Sequence, residues 1–113
     1  MRILNKNKNI ILAEEAFVAK SLYSRIKGLI AREALLRQEA LVINRCNSIH
    51  TFFMRFPIDV LFVDKKNKIV GIGLNIKPWR LSPIYWKAKF VVEFPAGVLL
   101  ESKTQKGDEL KFV

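Results

Sequence analysis

The stretch that decides the fold is IDVLFVDKKNKIVGIGL, residues 58–74. Ile58 to Val63 is almost continuously apolar at the length of a strand. Lys65-Lys66-Asn67-Lys68 is a polar turn, and Ile69 to Leu74 is a second apolar run of strand length. Two such runs around a short polar turn predict a β-hairpin. Working outward, Leu41-Val42-Ile43 and Lys89 to Phe94 read as further strands, with Pro95-Ala96-Gly97 ending the latter. Pro78 and Pro83 break regular structure between residues 75 and 88. Val98 to Ser102 suits a short helix, and Gly107-Asp108 a turn into a last strand over 109–113. At the other end, Ile3-Leu4 and Ile10-Ile11-Leu12 flank Asn5-Lys6-Asn7-Lys8-Asn9, a hairpin with polar turn residues. Ala16 to Lys20 reads as a strand. Ser21 sits at an N-cap before Leu22, Ile26 and Leu29 at helical spacing, with Gly28 as a stop. Residues 31–38 read as a second helical piece. The class is therefore mainly β: a small antiparallel β-sandwich or partly closed barrel with one or two short helices, as one domain over residues 1–113.

Composition agrees. The 113 residues are 50% hydrophobic and 27% charged, which excludes a disordered or fibrous chain. A single Cys excludes an internal disulfide framework. No apolar run approaches the roughly 20 residues of a membrane span, and no secretory leader is apparent. The expected setting is cytoplasmic, with no membrane insertion. Twenty Lys and Arg against ten Asp and Glu leave a net charge of +10. That excess attracts polyanions, but no long basic helix concentrates it, and a solvated Lys-rich surface is the preferred reading.

The chemistry-bearing segment is residues 46–64, CNSIHTFFMRFPIDVLFVD, which holds the only Cys (Cys46) and the only His (His50). With Asp59 they would supply a thiol, a base and an orienting carboxylate. On a regular strand Cys46 and His50 would stand about 13 Å apart at 3.3 Å per residue, so only a turn at Asn47-Ser48 would join them. Cys46, His50 and Met54 are soft-metal ligand types, but the spacing matches no closed four-ligand pattern, and no metal is expected. Asp59 lies on a strand apolar on both sides and must be paired or hydrogen-bonded. Arg55 is the nearest cation in sequence, either as an ion-pair partner or as a contact for an anionic ligand. In residues 77–90, KPWRLSPIYWKAKF, the aromatics Trp79, Tyr85, Trp86 and Phe90 alternate with Lys77, Arg80, Lys87 and Lys89. Aromatic faces beside cations suit single-stranded nucleic acid. The same composition describes a loop whose aromatics complete the core, and that reading is the preferred one. Phosphate-loop, dinucleotide, zincin and nucleophile-elbow signatures are absent, which leans against an enzyme without deciding it.

Taken together, SIHTFFMRFPIDVLFVD (48–64), KPWR (77–80), AKFVVEFPAG (88–97) and KGDEL (106–110) resemble Domain of Unknown Function family 192. SRIKGL upstream matches that family's Arg-x-x-Gly-Leu segment at Arg25, Gly28 and Leu29, so the resemblance runs from about residue 17 to the C-terminus. It implies a compact β-rich, sandwich-like domain and carries no established activity, substrate or catalytic residue. This chain has Phe53 where a smaller residue is common and Asn67 in place of a turn Gly. The resemblance also places His50, Met54, Arg55, Pro57 and Asp59 on adjoining turns and strands. Pro95-Ala96-Gly97 would lie close by if the strands pair as neighbours, and a concave surface there is the expected ligand site.

The resulting expectation is an uncharacterised non-enzymatic β domain that binds an anionic ligand or macromolecular partner. Its candidate ligand-binding residues are His50, Met54, Arg55, Asp59, Trp79, Arg80 and Lys87, with no catalytic residue and no cofactor. The expected partners are an anionic small molecule or single-stranded nucleic acid. A Cys/His-dependent enzyme using residues 46–59 and a purely structural or protein-interaction module remain as alternatives, and the oligomeric state is open.

Overall fold

The computed structural model describes residues 1–19, 38–52 and 54–113. The helix expected over 21–29, the one expected over 31–38 apart from Gln38, and Phe53 lie outside the described residues. Eight strands and one helix are seen among them: β1 Ile3–Asn5, β2 Ile10–Ala13, β3 Glu15–Ala19, β4 Glu39–Asn44, β5 Ile58–Val63, β6 Ile69–Ile76, β7 Phe90–Pro95, α1 Val98–Glu101 and β8 Leu110–Phe112. They build two sheets, a three-stranded one in the order β2-β1-β8 and a five-stranded one in the order β3-β4-β7-β5-β6. The protein is mainly β and sandwich-like, and the described strands do not close into a barrel.

The hairpins read from the sequence form as expected. β5 and β6 pair antiparallel, as do β1 and β2. In the turn between β5 and β6, Asn67 has φ 63°, and the Asp64 carboxylate accepts the Lys66 and Lys68 N–H groups at 2.8 and 2.9 Å. Asn tolerates the left-handed backbone that Gly would otherwise supply there. One pairing departs from the antiparallel scheme: β3 and β4 run parallel, Glu15 opposite Glu39 through Ala19 opposite Ile43.

Period-two alternation sends the large sheet's side chains into two separate cores. One face, with Val42, Leu61, Val63, Val92 and Phe94, packs against Ile3, Leu12 and Leu110 of the small sheet and against Leu99 of α1. The other face, with Ile43, Ile58, Val60, Phe62 and Val91, packs against Ile49, Met54, Phe56 and Ala88 from the loops. β5 touches both cores, which is why all six of its residues are buried and why its sequence is continuous rather than alternating.

Asp59 sits within that strand at 1% exposure, on the face of Leu61 and Val63. Its partner is not Arg55, which is exposed. Instead Oδ1 accepts the Asn75 N–H at 2.8 Å, and Oδ2 accepts those of Gly97 and Leu99 at 2.9 and 3.0 Å. Asn75, with φ 49°, belongs to a bulge, since between the pairs Ile58–Ile76 and Val60–Gly73 the single residue Asp59 of β5 faces two of β6, Leu74 and Asn75. Gly97 precedes α1 with φ 100° and has no side chain to cap the helix. The Asp59 carboxylate does that work from a neighbouring strand.

A second buried network closes the chain ends. Asn5 Nδ2 donates to Asp108 Oδ2 at 2.9 Å and to Thr104 Oγ1 at 3.1 Å, and Lys8 Nζ lies 3.4 Å from Asp108. Burial acts to raise the Asp108 carboxyl. The hydrogen bonds from Asn5 and the Gln105 N–H, with the hydrogen bond and charge of Lys8, outweigh it and hold the group below its ordinary 3.8.

Two expectations follow for stability. Asp59→Ala leaves three amides without their acceptor, one of them on the buried Leu99, and should cost about 2–4 kcal/mol. Urea unfolding measures it, and an unchanged midpoint contradicts the capping role. For Asp108, a depressed carboxyl contributes stability that is present above the unfolded-state value and lost as pH falls through the folded one. Asp108→Asn should therefore lie about 1–3 kcal/mol below the parent at neutral pH. The gap should narrow as pH drops through and below the ordinary carboxylate value of 3.8. A gap constant with pH contradicts the linkage.

A candidate aromatic and cationic binding surface

Among the described residues, the second core is covered by two segments, 45–52 with 54–57 and 77–89, which run against each other. Cys46 N–H donates to the Lys89 carbonyl at 3.3 Å and Tyr85 N–H to that of Asn47 at 2.9 Å. Ser82 N–H donates to the Ile49 carbonyl at 2.9 Å, while Ile49 N–H donates to Ser82 Oγ at 2.8 Å. His50 and Leu81 form an isolated antiparallel bridge. Pro78 and Pro83 lack the N–H groups a continuous ladder needs.

Thr51, fully buried, holds this zipper at its end. Its hydroxyl donates to the Lys77 carbonyl at 2.6 Å and accepts the Arg80 N–H at 2.9 Å. Its carbonyl accepts the Trp79 N–H at 3.0 Å, and its own N–H donates to the Arg80 carbonyl at 2.9 Å. These bonds hold Trp79 at φ 65°, a conformation costly for a bulky side chain and one that clusters at functional sites.

The aromatics of residues 77–90 divide into two groups. Tyr85 stacks on Phe62 with ring centroids 4.2 Å apart, and its ring occupies the space that a Cβ at Gly71 would need. Phe90 packs edge-on against Phe112 and the first core. Trp79 and Trp86 do not complete the core as the preferred sequence reading had it: they are 56% and 79% exposed. Leu81 and Ile84 between them are exposed as well. Phe52 stacks on Trp79 at 5.7 Å and lies 5.0 Å from the His50 ring, so among the described residues these three rings share one tier.

Two grooves flank this loop and share Leu81 and Ser82. One, of about 380 Å³, has Phe62, Ile76 and Tyr85 among its lining residues together with Lys77 and Arg80. The other, of about 520 Å³, carries Arg45, Cys46 and His50. Both sizes fall in the range of ligand-binding clefts. A separate groove of about 390 Å³ lies between β2 and α1.

The candidate residues thus fall in different places. His50, Trp79 and Arg80 gather on the loop surface, and Lys87 is exposed beside Trp86. Met54 is buried in the second core, and Arg55 is exposed. Asp59 faces the first core, across the sheet from Cys46 and its groove. Strands β5 and β7 do pair as neighbours, and Gly97 meets Asp59, but that junction caps α1. Cys46 Sγ donates to the Ser48 carbonyl at 2.9 Å, and His50 Nδ1 accepts the Phe52 N–H at 3.3 Å. The Cys46, His50 and Asp59 arrangement is therefore not assembled. No group of three or more His, Cys, Asp or Glu able to hold a metal occurs among the described residues. A functional candidate without a sequence signal is Glu93, fully buried at the centre of β7 between Leu41 and Val60. In FVVEFP it looks like an ordinary polar position on a half-exposed strand. Thr51 is another, because its small polar side chain gives no signal of its bonds to residues 77–80.

Comparison with known proteins agrees with this fold. The DUF192 profile, described as an uncharacterised group, matches residues 3–112. A UPF0127 protein of Pyrococcus horikoshii is 34% identical over 113 residues, 97% of each chain. Another from Thermococcus sibiricus is 30% identical over 96% of this chain and 72% of its own. Among solved structures, a protein of unknown function from Novosphingobium aromaticivorans superposes with a TM-score of 0.85 at 18% identity, covering 99% of this chain and 84% of that one. A candidate transcription regulator from Sinorhizobium meliloti gives 0.77 at 19%, over 97% of this chain and 89% of that one. With a profile match over almost its whole length and relatives of similar size, the chain belongs to the DUF192 family of uncharacterised proteins.

Proposed function

We propose that this chain is a non-enzymatic binding module whose working surface is the 77–89 loop, and that its partner is anionic. The observation that carries the reading is the exposure of Trp79 and Trp86, 56% and 79%, on a segment fastened down by Thr51, Ser82 and Tyr85. Large apolar side chains clustered on the surface and rimmed by charge mark interaction sites. Lys77, Arg80, Lys87 and Lys89 are all exposed around them, in a chain of net charge +10. Fastening lowers the ordering cost of binding, because the aromatics are positioned before a partner arrives. Among the described residues no helix is long and apolar enough to cross a membrane.

The protein has only two Trp residues, both in this loop, so tryptophan emission excited apart from tyrosine reports on it alone. Inorganic polyphosphate, a polyanion without bases, should change that fluorescence saturably, with affinity falling linearly in log salt. Joint replacement Arg80→Ala and Lys87→Ala should reduce the salt slope by roughly 1–2, on the order of one released counterion per lost contact. No response to polyphosphate at about 50 mM salt, or a slope untouched by the double replacement, contradicts the proposal.

A further inference from the structure

The surface is more than cationic, and its aromatic geometry narrows the partner. Resting on the anion-binding reading above, we infer that the partner is single-stranded nucleic acid, held by base stacking on the exposed Trp86 and Trp79. A simple anion needs cations alone and gives no reason to keep two indoles in water, where each forfeits a large hydrophobic gain. A duplex hides its base faces within the stack, whereas an unpaired strand offers one π-face per nucleotide and one phosphate between successive bases. Trp79, Arg80, Trp86 and Lys87 match that alternation, ring then cation, twice within nine residues.

The local structure supports the same reading. Trp79 is backed by Phe52 at 5.7 Å with an interplanar angle of 27°, and Phe52 in turn by His50 at 5.0 Å, which fixes the plane a base would meet. The backbone of Trp79 and Arg80 is bonded on both sides to Thr51. Trp86 stands only one residue beyond Tyr85, whose ring is seated on Phe62 and against Gly71. Lys77 and Arg80 line one adjoining groove and Arg45 the other, so cations lie on both sides of the Leu81–Ser82 ridge. Stacking plus phosphate contact at that spacing gives affinity with little sequence preference.

The test compares three probes on the full chain: an oligouridylate of about a dozen nucleotides, polyphosphate of matched charge, and anionic phospholipid vesicles. The oligonucleotide should bind at least tenfold tighter than polyphosphate at about 150 mM salt and quench the tryptophans. Trp86→Ala should weaken it by roughly tenfold, and Trp86→Phe should restore most of the loss. Trp86 is the cleaner position, since at 79% exposure its removal leaves folding intact; the urea midpoint checks this. Equal affinity for oligonucleotide and polyphosphate, with Trp86→Ala silent, overturns the stacking inference while leaving anion binding in place. Absence of binding to either overturns both. Preference for vesicles over the oligonucleotide overturns the nucleic-acid assignment in favour of a lipid surface.

Discussion

A buried carboxylate is the constraint on which the architecture turns. Asp59 lies at 1% exposure in a strand whose every other residue is apolar, and a group of that kind is tolerable only when its oxygens are fully engaged. Three backbone amides engage them, at Asn75, Gly97 and Leu99. One side of the carboxylate thereby fixes the bulge that ends β6, and the other fixes the start of α1. The bulge matters beyond the sheet. It sets the direction in which the chain leaves β6 at Ile76 and enters the 77–89 loop, so a group on the first-core face helps place a surface on the opposite face.

That opposite face is closed by loops rather than by a second sheet, and the difference is chemical. A sheet satisfies its backbone internally, whereas segments 45–57 and 77–89 carry Pro78 and Pro83 and must find partners piecemeal. Thr51, Ser82 and the Asn47 carbonyl provide them. Tyr85 and Ala88 turn inward to the second core, and Trp79, Leu81, Ile84 and Trp86 turn outward. The result joins rigidity to exposure, a combination that packing alone does not favour and that recognition does.

Much of the strand order was legible, because each strand announces itself locally. The run 58–63, the turn 65–68 and the punctuation of Pro95-Ala96-Gly97 all act within a few residues. Partners across distance were not legible. Nothing in EAFVA and EALVIN says that β3 and β4 run parallel, since the register is decided by a sheet assembled from residues far apart in sequence. For Asp59 the sequence showed that a partner was required, and proximity suggested Arg55. The true partners are backbone N–H groups, which every residue carries and no pattern marks. Aromatic composition in 77–90 likewise could not separate Tyr85, which has Gly71 and Phe62 to receive it, from Trp86, which has no comparable seat. His50 and Arg80 were readable as candidates from residue type, but Thr51, which organises their backbone, was not.

The central claim is that one preformed surface, the 77–89 loop with residues 49–52 beneath it, meets the partner. Backbone and indole N–H chemical-shift mapping of the full chain with a short oligouridylate tests it most directly. The largest changes are expected at the two indole N–H signals and at the amides of residues 49–52 and of the non-proline residues of 77–89, with the Ile10–Glu14 and α1 signals unmoved. Changes centred on the groove between β2 and α1, or spread evenly over the Lys-rich surface, would contradict it.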